Sequence, residues 1–582
     1  MSLLRSAVLC CVLAGLCPMS APAVDTLRPE QLKSGMKGYG LSVFKGTKPE
    51  KFDVEILGVL PNTFPKQDMI LIRLSGADLE KHKVIAGMSG SPIYIDGKLI
   101  GALAYGWGFE NEPMAGVTPI HNMLAELKPS AAPLKTVSAT RATSPAAWLQ
   151  PPTVAPLAPA SAGDPFNTPR PLLTPLALGG FSARVIDMFA KQFERFGLLP
   201  TASGGGASRE LPRWSGRIEP GMSVGASLIR GDLNATGVGT ATYIDRDKVL
   251  AFGHPFFQGG RVDAPAVVAE VHTIMSSLAR SFKLATPVGD AGAMVGDWQS
   301  CIVVDTKTKA NMIPATVAVT NRDTGQHDRY DLEIMNNEAL SPLLVQIAIA
   351  ESIYAASSSS QDTTVRVNLD AELNDRTVRV SDSFFSPSGG LVGPETFAPL
   401  VGMFYTPFGR PEIKRINVTV DASLSRQTAE IKRAYFSKAQ VERGETVLLS
   451  VVLKPFGEPE VTKTIPIDVP AATDTMRQLT VAVMGGSKAP PDVAPPDSLN
   501  DVLDAIEKRR RATDLVALVQ TPTQGLQYRG KLLKKLPASV LDVLDDDSTR
   551  GVATAADVLQ IVAPTDWVLS GQAVTRVPIR QE

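Results

Sequence analysis

Apolar and polar residues alternate in short runs along much of this chain. Val365, Val367 and Leu369 alternate with Arg366, Asn368 and Asp370, and Ile416, Val418 and Val420 repeat the pattern. Successive side chains on a strand point to opposite faces, so this period demands sheets with one face buried. Residues 54–60, 69–74, 93–95, 99–104, 238–244 and 248–252 read as further strands. Asp96-Gly97 sits between two of them as a two-residue hairpin, because both positions tolerate positive φ. The expected fold class is therefore mainly β, and 582 residues are too many for one unit.

Composition divides the chain. Arg5, the apolar run 7–16 and Ala21-Pro22-Ala23 form an export signal, with cleavage expected after Ala23 (1–23). The mature protein would then be periplasmic, extracellular or held at the cell envelope. Cys10, Cys11 and Cys17 leave with the signal, so Cys301 remains alone and reads as a small buried hydrophobe. Residues 25–128 form a first unit closed by a short helix at 120–127. Residues 129–175 are a Pro/Ala-rich linker. A second unit spans 176–356, opening with a helix that Ser182 caps and Gly197 stops. An immunoglobulin-like β-sandwich is expected at 363–485, a linker at 486–496, and a small mixed α/β unit at 497–582. Its helix would run over 498–511 and a shorter one over 538–544. The net charge of −1 and the well-mixed charges exclude a broad nucleic-acid surface. No paired-cysteine metal motif is present, and neither metal nor cofactor is called for.

Chemistry concentrates in Gly87-Met88-Ser89-Gly90-Ser91-Pro92. A serine hydroxyl needs a base and donors for a developing oxyanion before it becomes a useful nucleophile. Flanking glycines permit a tight turn that exposes Ser89 and aims the N–H groups of Gly87 and Ser89 at one point. Ser91 is the rival nucleophile. Only five histidines exist: His82, His121, His254, His272 and His327. The base for Ser89 must come from among them, and His121, beside the closing helix, is one candidate.

A serine turn followed by a β-hairpin resembles one barrel of the chymotrypsin-like peptidases. Residues 85–104 resemble the SpoIVB-type serine peptidase family more closely, in the serine motif and in Asp96-Gly97-Lys98-Leu99-Ile100-Gly101-Ala102. Residues 240–255, with Leu250-Ala251-Phe252-Gly253-His254, are similar to the family's histidine strand. The resemblance implies Ser89 as nucleophile, His254 as base and a double β-barrel assembled from two segments; the family places histidine before serine, so the order here departs from it and is permuted. It also implies an aspartate shortly before the serine motif. Asp78 is chosen, with Asp245, Asp68 and Asp263 as rivals. Tyr105, Gly106 and Trp107 would line the substrate pocket.

The expected function is an exported serine endopeptidase acting on a protein or peptide. The alternative is an inactive peptidase-like scaffold that binds an envelope partner, for example through the sandwich. Adhesion through Phe404, Tyr405 and Phe408 is the third class considered, and those rings read better as packing.

Overall fold

The computed structural model describes residues 24–107, 111–127, 168–204, 211–357, 362–387, 402–404, 406, 408–470, 476–492, 496–528, 531–533 and 552–580. The expected export signal, most of the linker at 129–175, the helix expected at 538–544 and Tyr405 lie outside the described residues.

Six strands of the first segment close on themselves. Lys37–Ser42, Glu50–Phe64, Gln67–Ser75, Met114–Pro119, Lys98–Gly106 and Pro92–Ile95 pair in that cyclic order, every pair antiparallel. Closure removes both sheet edges and turns one face of each strand inward. Phe52, Val54, Ile56, Ile70, Ile72 and Leu74 fill the interior with Ile93, Ile100, Leu103 and Val117. The Asp96-Gly97 hairpin is present, with Ile95 opposite Lys98 and φ of 50° and 73° at the two loop residues.

The second segment closes a second ring. Ser223–Gly231, Gly260–Met275, Phe282–Asp297, Ile302–Asp305, Lys248–Ala251 and Asn234–Asp245 pair cyclically, again all antiparallel. Two closed six-stranded barrels side by side are consistent with a chymotrypsin-like arrangement. The helix Ala183–Glu194 packs Val185, Phe189 and Phe193 into the second core. Its start is fixed by Ser182, whose hydroxyl accepts from Val185 N–H at 3.4 Å.

The sheets beyond the barrels differ from the expected sandwich at 363–485. Thr363–Leu373, Thr377–Ser386 and Ile413–Ser423 extend the second barrel's own sheet through Met312–Asn321 and His327–Met335. A separate two-sheet core begins only at Thr428–Phe436. It joins Thr446–Pro455 and Val461–Asp468 to Gln478–Gly485, Asp514–Tyr528 and Gln572–Pro578. The C-terminal residues thus complete this core rather than forming a unit apart. The reason is physical: period-two alternation identifies a strand and its buried face, but not its neighbour. Phe404 is buried in the large core and Phe408 packs against it. The helix Leu499–Glu507 also docks there, through Val502, Leu503 and Ile506.

The two barrels are joined along a hydrogen-bonded seam. Ala86 N–H donates to Ser281 carbonyl at 2.9 Å, Lys283 N–H to Ala86 carbonyl at 3.0 Å, and Thr240 N–H to Ser89 carbonyl at 2.8 Å. The hydroxyls of Thr240, Thr242 and Thr118 donate to the carbonyls of Gly87, Gly90 and Gly253 at 2.9, 2.7 and 2.5 Å. Gly90 sits in the tightest part of this seam, with φ of +95°. A Cβ there would lie 2.0 Å from Thr240 carbonyl oxygen and 2.4 Å from Phe252 N. Both contacts are with backbone, which cannot swing aside. Gly90→Ala is therefore expected to destabilise the barrel pair by about 3 kcal/mol or more. Denaturant unfolding measures this, and a loss below about 1 kcal/mol would contradict a closed seam.

Candidate active site

Ser89 lies in the loop between Leu79–His82 and Pro92–Ile95, directly on the seam. Gly87 and Gly90 take φ of +96° and +95°, a region open to glycine at no steric cost. Three N–H groups of the turn are used: Met88 donates to Ile85 carbonyl at 3.0 Å, Gly90 to Leu103 at 2.7 Å and Ser91 to Met88 at 2.9 Å. Those of Gly87 and Ser89 donate to no acceptor among the described residues. They are the two N–H groups an oxyanion hole at this turn requires.

His254 follows Lys248–Ala251 in the second barrel. Phe252 and Gly253 both take φ of 71°. For a bulky residue such as Phe252 that conformation is strained, so surrounding packing must enforce it. Its buried ring meets Phe256 edge-on at 5.6 Å, and its backbone packs on Gly90. Gly253 lies so close to Ala102 and Ala104 that a Cβ would be 2.9 and 3.2 Å from theirs. The serine turn and the histidine loop are thus in direct backbone contact across the seam.

The two side chains are buried, and each leaves one polar atom unsatisfied: Ser89 Oγ and His254 Nε2. They do not hydrogen-bond to each other. Buried polar atoms without partners are rare and costly, about 1–3 kcal/mol each. His254 Nδ1 lies 2.7 Å from Pro255 carbonyl oxygen. A carbonyl only accepts, so Nδ1 carries the proton and Nε2 keeps its lone pair. Burial lowers the imidazole to about 4, against the Pro255 bond that raises it. His254 is therefore neutral at ordinary pH.

The other expected site residues fall elsewhere. Asp78 is exposed at the start of Leu79–His82 and is not paired with His254. Asp245 is exposed; Asp68 accepts from Asn62 N–H at 2.9 Å and Asp263 from Asn311 N–H at 3.0 Å. His121, the rival base, is exposed on Ile120–Ala125. Ser91 Oγ is buried without a partner like that of Ser89, but both its backbone groups are tied into the turn and the strand beside it. Tyr105 is buried against Met69 and Ala104, its ring centroid 4.9 Å from Phe64's, and burial raises its hydroxyl to about 12. Gly106 is buried, and Trp107 packs half-buried on the same cluster. Cys301 is buried, its thiol pushed well up by burial.

Two residues that sequence reasoning missed support the site from below. Asp297 Oδ1 accepts from Phe256 N–H at 2.6 Å, and Oδ2 accepts from Phe257 and Gly259 N–H at 2.8 and 2.9 Å. This fixes the loop immediately after His254. Burial raises the carboxyl, opposed by the backbone donors that lower it. Lys283 lies under Gly87, its stem carbons 3.1–3.3 Å from where a Gly87 Cβ would be. Its amine donates to Ser42, Ser223 and Thr240 hydroxyls at 3.0, 3.2 and 3.2 Å, so it touches both barrels. Neither residue carries a local motif; each finds its partners only through the fold.

Burial alone lowers the Lys283 amine from 10.5 to about 7. A folded-state value below the unfolded one means that the unfolded chain holds the extra proton between about 7 and 10.5. Stability then rises with pH through that window, and roughly 5 kcal/mol is withheld below pH 7. Lys283→Met should accordingly stabilise the protein at pH 6 and give little gain at pH 10.5, as read from denaturant midpoints. An equal effect at both pH values would contradict the buried-amine account.

Comparison with curated proteins and with solved structures finds no match. Residues 23–124 match the model of the family described as SpoIVB peptidase S55. That stretch holds the whole first barrel and the serine turn, and ends before His254. Over its serine-bearing barrel the chain is thus similar to the SpoIVB-type serine peptidase family.

Proposed function

We propose that this chain is an exported serine endopeptidase acting through an acyl-enzyme. The observation that carries the reading is the pair of unsatisfied buried atoms, Ser89 Oγ and His254 Nε2, on loops that touch across the barrel seam. In this reading Ser89 Oγ attacks a peptide carbonyl carbon while Nε2 takes the hydroxyl proton. The carbonyl oxygen becomes an oxyanion facing the free N–H groups of Gly87 and Ser89. Collapse breaks the C–N bond, and His254 returns the proton to the leaving amine. Water, deprotonated by the same nitrogen, then releases the acid.

Pro255 carbonyl takes the orienting part that a carboxylate plays in a triad. It fixes the tautomer but supplies no full negative charge to the imidazolium that forms. Asp78, chosen for the aspartate that the resemblance implies, would have to reach the histidine by a rearrangement of its exposed loop. The second reading, an inactive scaffold with an envelope partner, is favoured by one observation: Ser89 and His254 share no hydrogen bond.

Labelling of the mature protein by a fluorophosphonate probe separates the readings. The expected result is labelling that disappears in Ser89→Ala and falls at least about 100-fold in His254→Ala. No labelling of the unmodified protein would support the scaffold.

The pH dependence carries its own check. A base must be neutral to accept a proton, so the rate should fall on acidification through the folded value of His254, about 4. A rate flat from pH 8 to 5 is expected. A fall centred near 6.5, the ordinary imidazole value, would contradict a desolvated base.

A further inference from the structure

The strand Lys98–Gly106 changes neighbours along its length. Met114–Pro119 covers one edge as far as Tyr105 opposite Gly116. Pro92–Ile95 covers the other edge only from Lys98 to Ala102. Beyond that point the chain has turned away into the serine turn, and the edge at Ala104–Gly106 is left for another strand. Arg170–Pro171 takes it. Gly106 pairs with Arg170 and Tyr105 with Pro171, antiparallel, and Leu172 N–H donates to Ala104 carbonyl at 2.9 Å.

This edge adjoins the proposed chemistry. Leu103, one residue before, holds the serine turn through Gly90 N–H at 2.7 Å and Ser91 carbonyl at 3.0 Å. Ala104 packs against Gly253, next to His254. The main chain at Leu172 therefore runs past the seam where Ser89 and His254 lie. An extended segment bonded to a sheet edge is how peptides are commonly bound by strand addition.

We propose that Arg170–Leu172 is a resident occupant of the Ala104–Gly106 edge, which an extended peptide docking there must displace. That the incoming peptide is a substrate rests on the peptidase reading; the strand exchange does not. The occupant shows what the edge accepts. Leu172 packs half-buried against the first-barrel core, so an aliphatic side chain suits that position. Pro171, exposed, has no N–H to give, so the preceding position needs no donor. The occupant's ladder is only two residues long and would be weak in a free peptide. It is tethered instead: Thr174–Gly179 follows at once and pairs with Asn234–Asp245 of the second barrel. A tether of a few residues raises the effective concentration of the strand to the millimolar range, enough to hold a weak ladder closed against free peptides.

The test uses the full mature chain and a fluorescent hexapeptide of sequence Thr-Pro-Arg-Pro-Leu-Leu, that of residues 168–173. Binding is read by anisotropy in a Ser89→Ala background, so that no peptide is consumed. Leu172→Asp places a carboxylate where the aliphatic chain packs and should release the strand. Leu172→Gly serves the same end if the first variant does not fold. The expected result is peptide binding at least about tenfold tighter to the released variants than to the chain with Leu172 intact. Equal binding to both forms, or to neither, overturns the proposal. With Ser89 restored, the released variants should also label faster with fluorophosphonate. Tighter peptide binding without any labelling would leave the strand exchange standing and remove the peptidase reading. Labelling without selective peptide binding would do the reverse.

Discussion

Everything at this site depends on one set of contacts, the hydrogen bonds that carry the serine turn of one barrel onto strands of the other. Thr240 is at their centre. Its N–H holds Ser89 carbonyl and its hydroxyl holds Gly87 carbonyl, while Lys283 donates to the same hydroxyl. Both carbonyls are engaged, while the N–H groups of Gly87 and Ser89 donate to no acceptor among the described residues. Each such bond contributes only about 1 kcal/mol net, but leaving one buried partner unmade costs more than making it gains. The seam is therefore cooperative. Glycine at position 90 allows the approach that makes these bonds possible.

Free energy spent at the seam is recovered in the barrels. Phe252 holds a strained backbone, Ser89 and His254 leave polar atoms unsatisfied, and Lys283 keeps an amine out of water with three hydroxyls and no carboxylate. A buried amine without a counter-charge is tolerated by giving up its proton; the neutral amine then donates to two of the hydroxyls and accepts from a serine hydroxyl through its lone pair. Such costs persist only where closed, well-packed elements over-determine the geometry. Here two closed rings do so, and Asp297 adds rigidity by accepting from the N–H groups of Phe256, Phe257 and Gly259 in the histidine loop. Histidine desolvation works in the same direction: it keeps the Nε2 lone pair free, at the expense of basicity.

The legible parts of this molecule are those whose causes are local. Asp96-Gly97 announces a hairpin because its two residues alone decide it. Ser182 and Gly197 mark helix ends for the same reason, and Gly87-Met88-Ser89-Gly90 announces a tight turn, although the expected exposure of Ser89 fails because the second barrel covers it. His254 could be singled out only by resemblance, since nothing in its neighbours distinguishes a base from a strand cap. Asp297 and Lys283 act on residues about 40 and almost 200 positions away, so no window of sequence contains their role. The sandwich boundary was misplaced for a related reason. Thr363–Leu373 and Thr428–Phe436 alternate alike, yet one continues the second barrel's sheet and the other opens a new core. Asp78 was chosen by spacing, and spacing does not decide whether a carboxylate faces a core or water.

The most direct test of the account is a crystal structure of the protein after reaction with a small fluorophosphonate. The expected adduct is on Ser89 Oγ, with a phosphonyl oxygen about 3 Å from the N–H groups of both Gly87 and Ser89 and with His254 Nε2 in hydrogen-bond reach of the adduct. An adduct on Ser91, or a phosphonyl oxygen turned away from those two N–H groups, would contradict it.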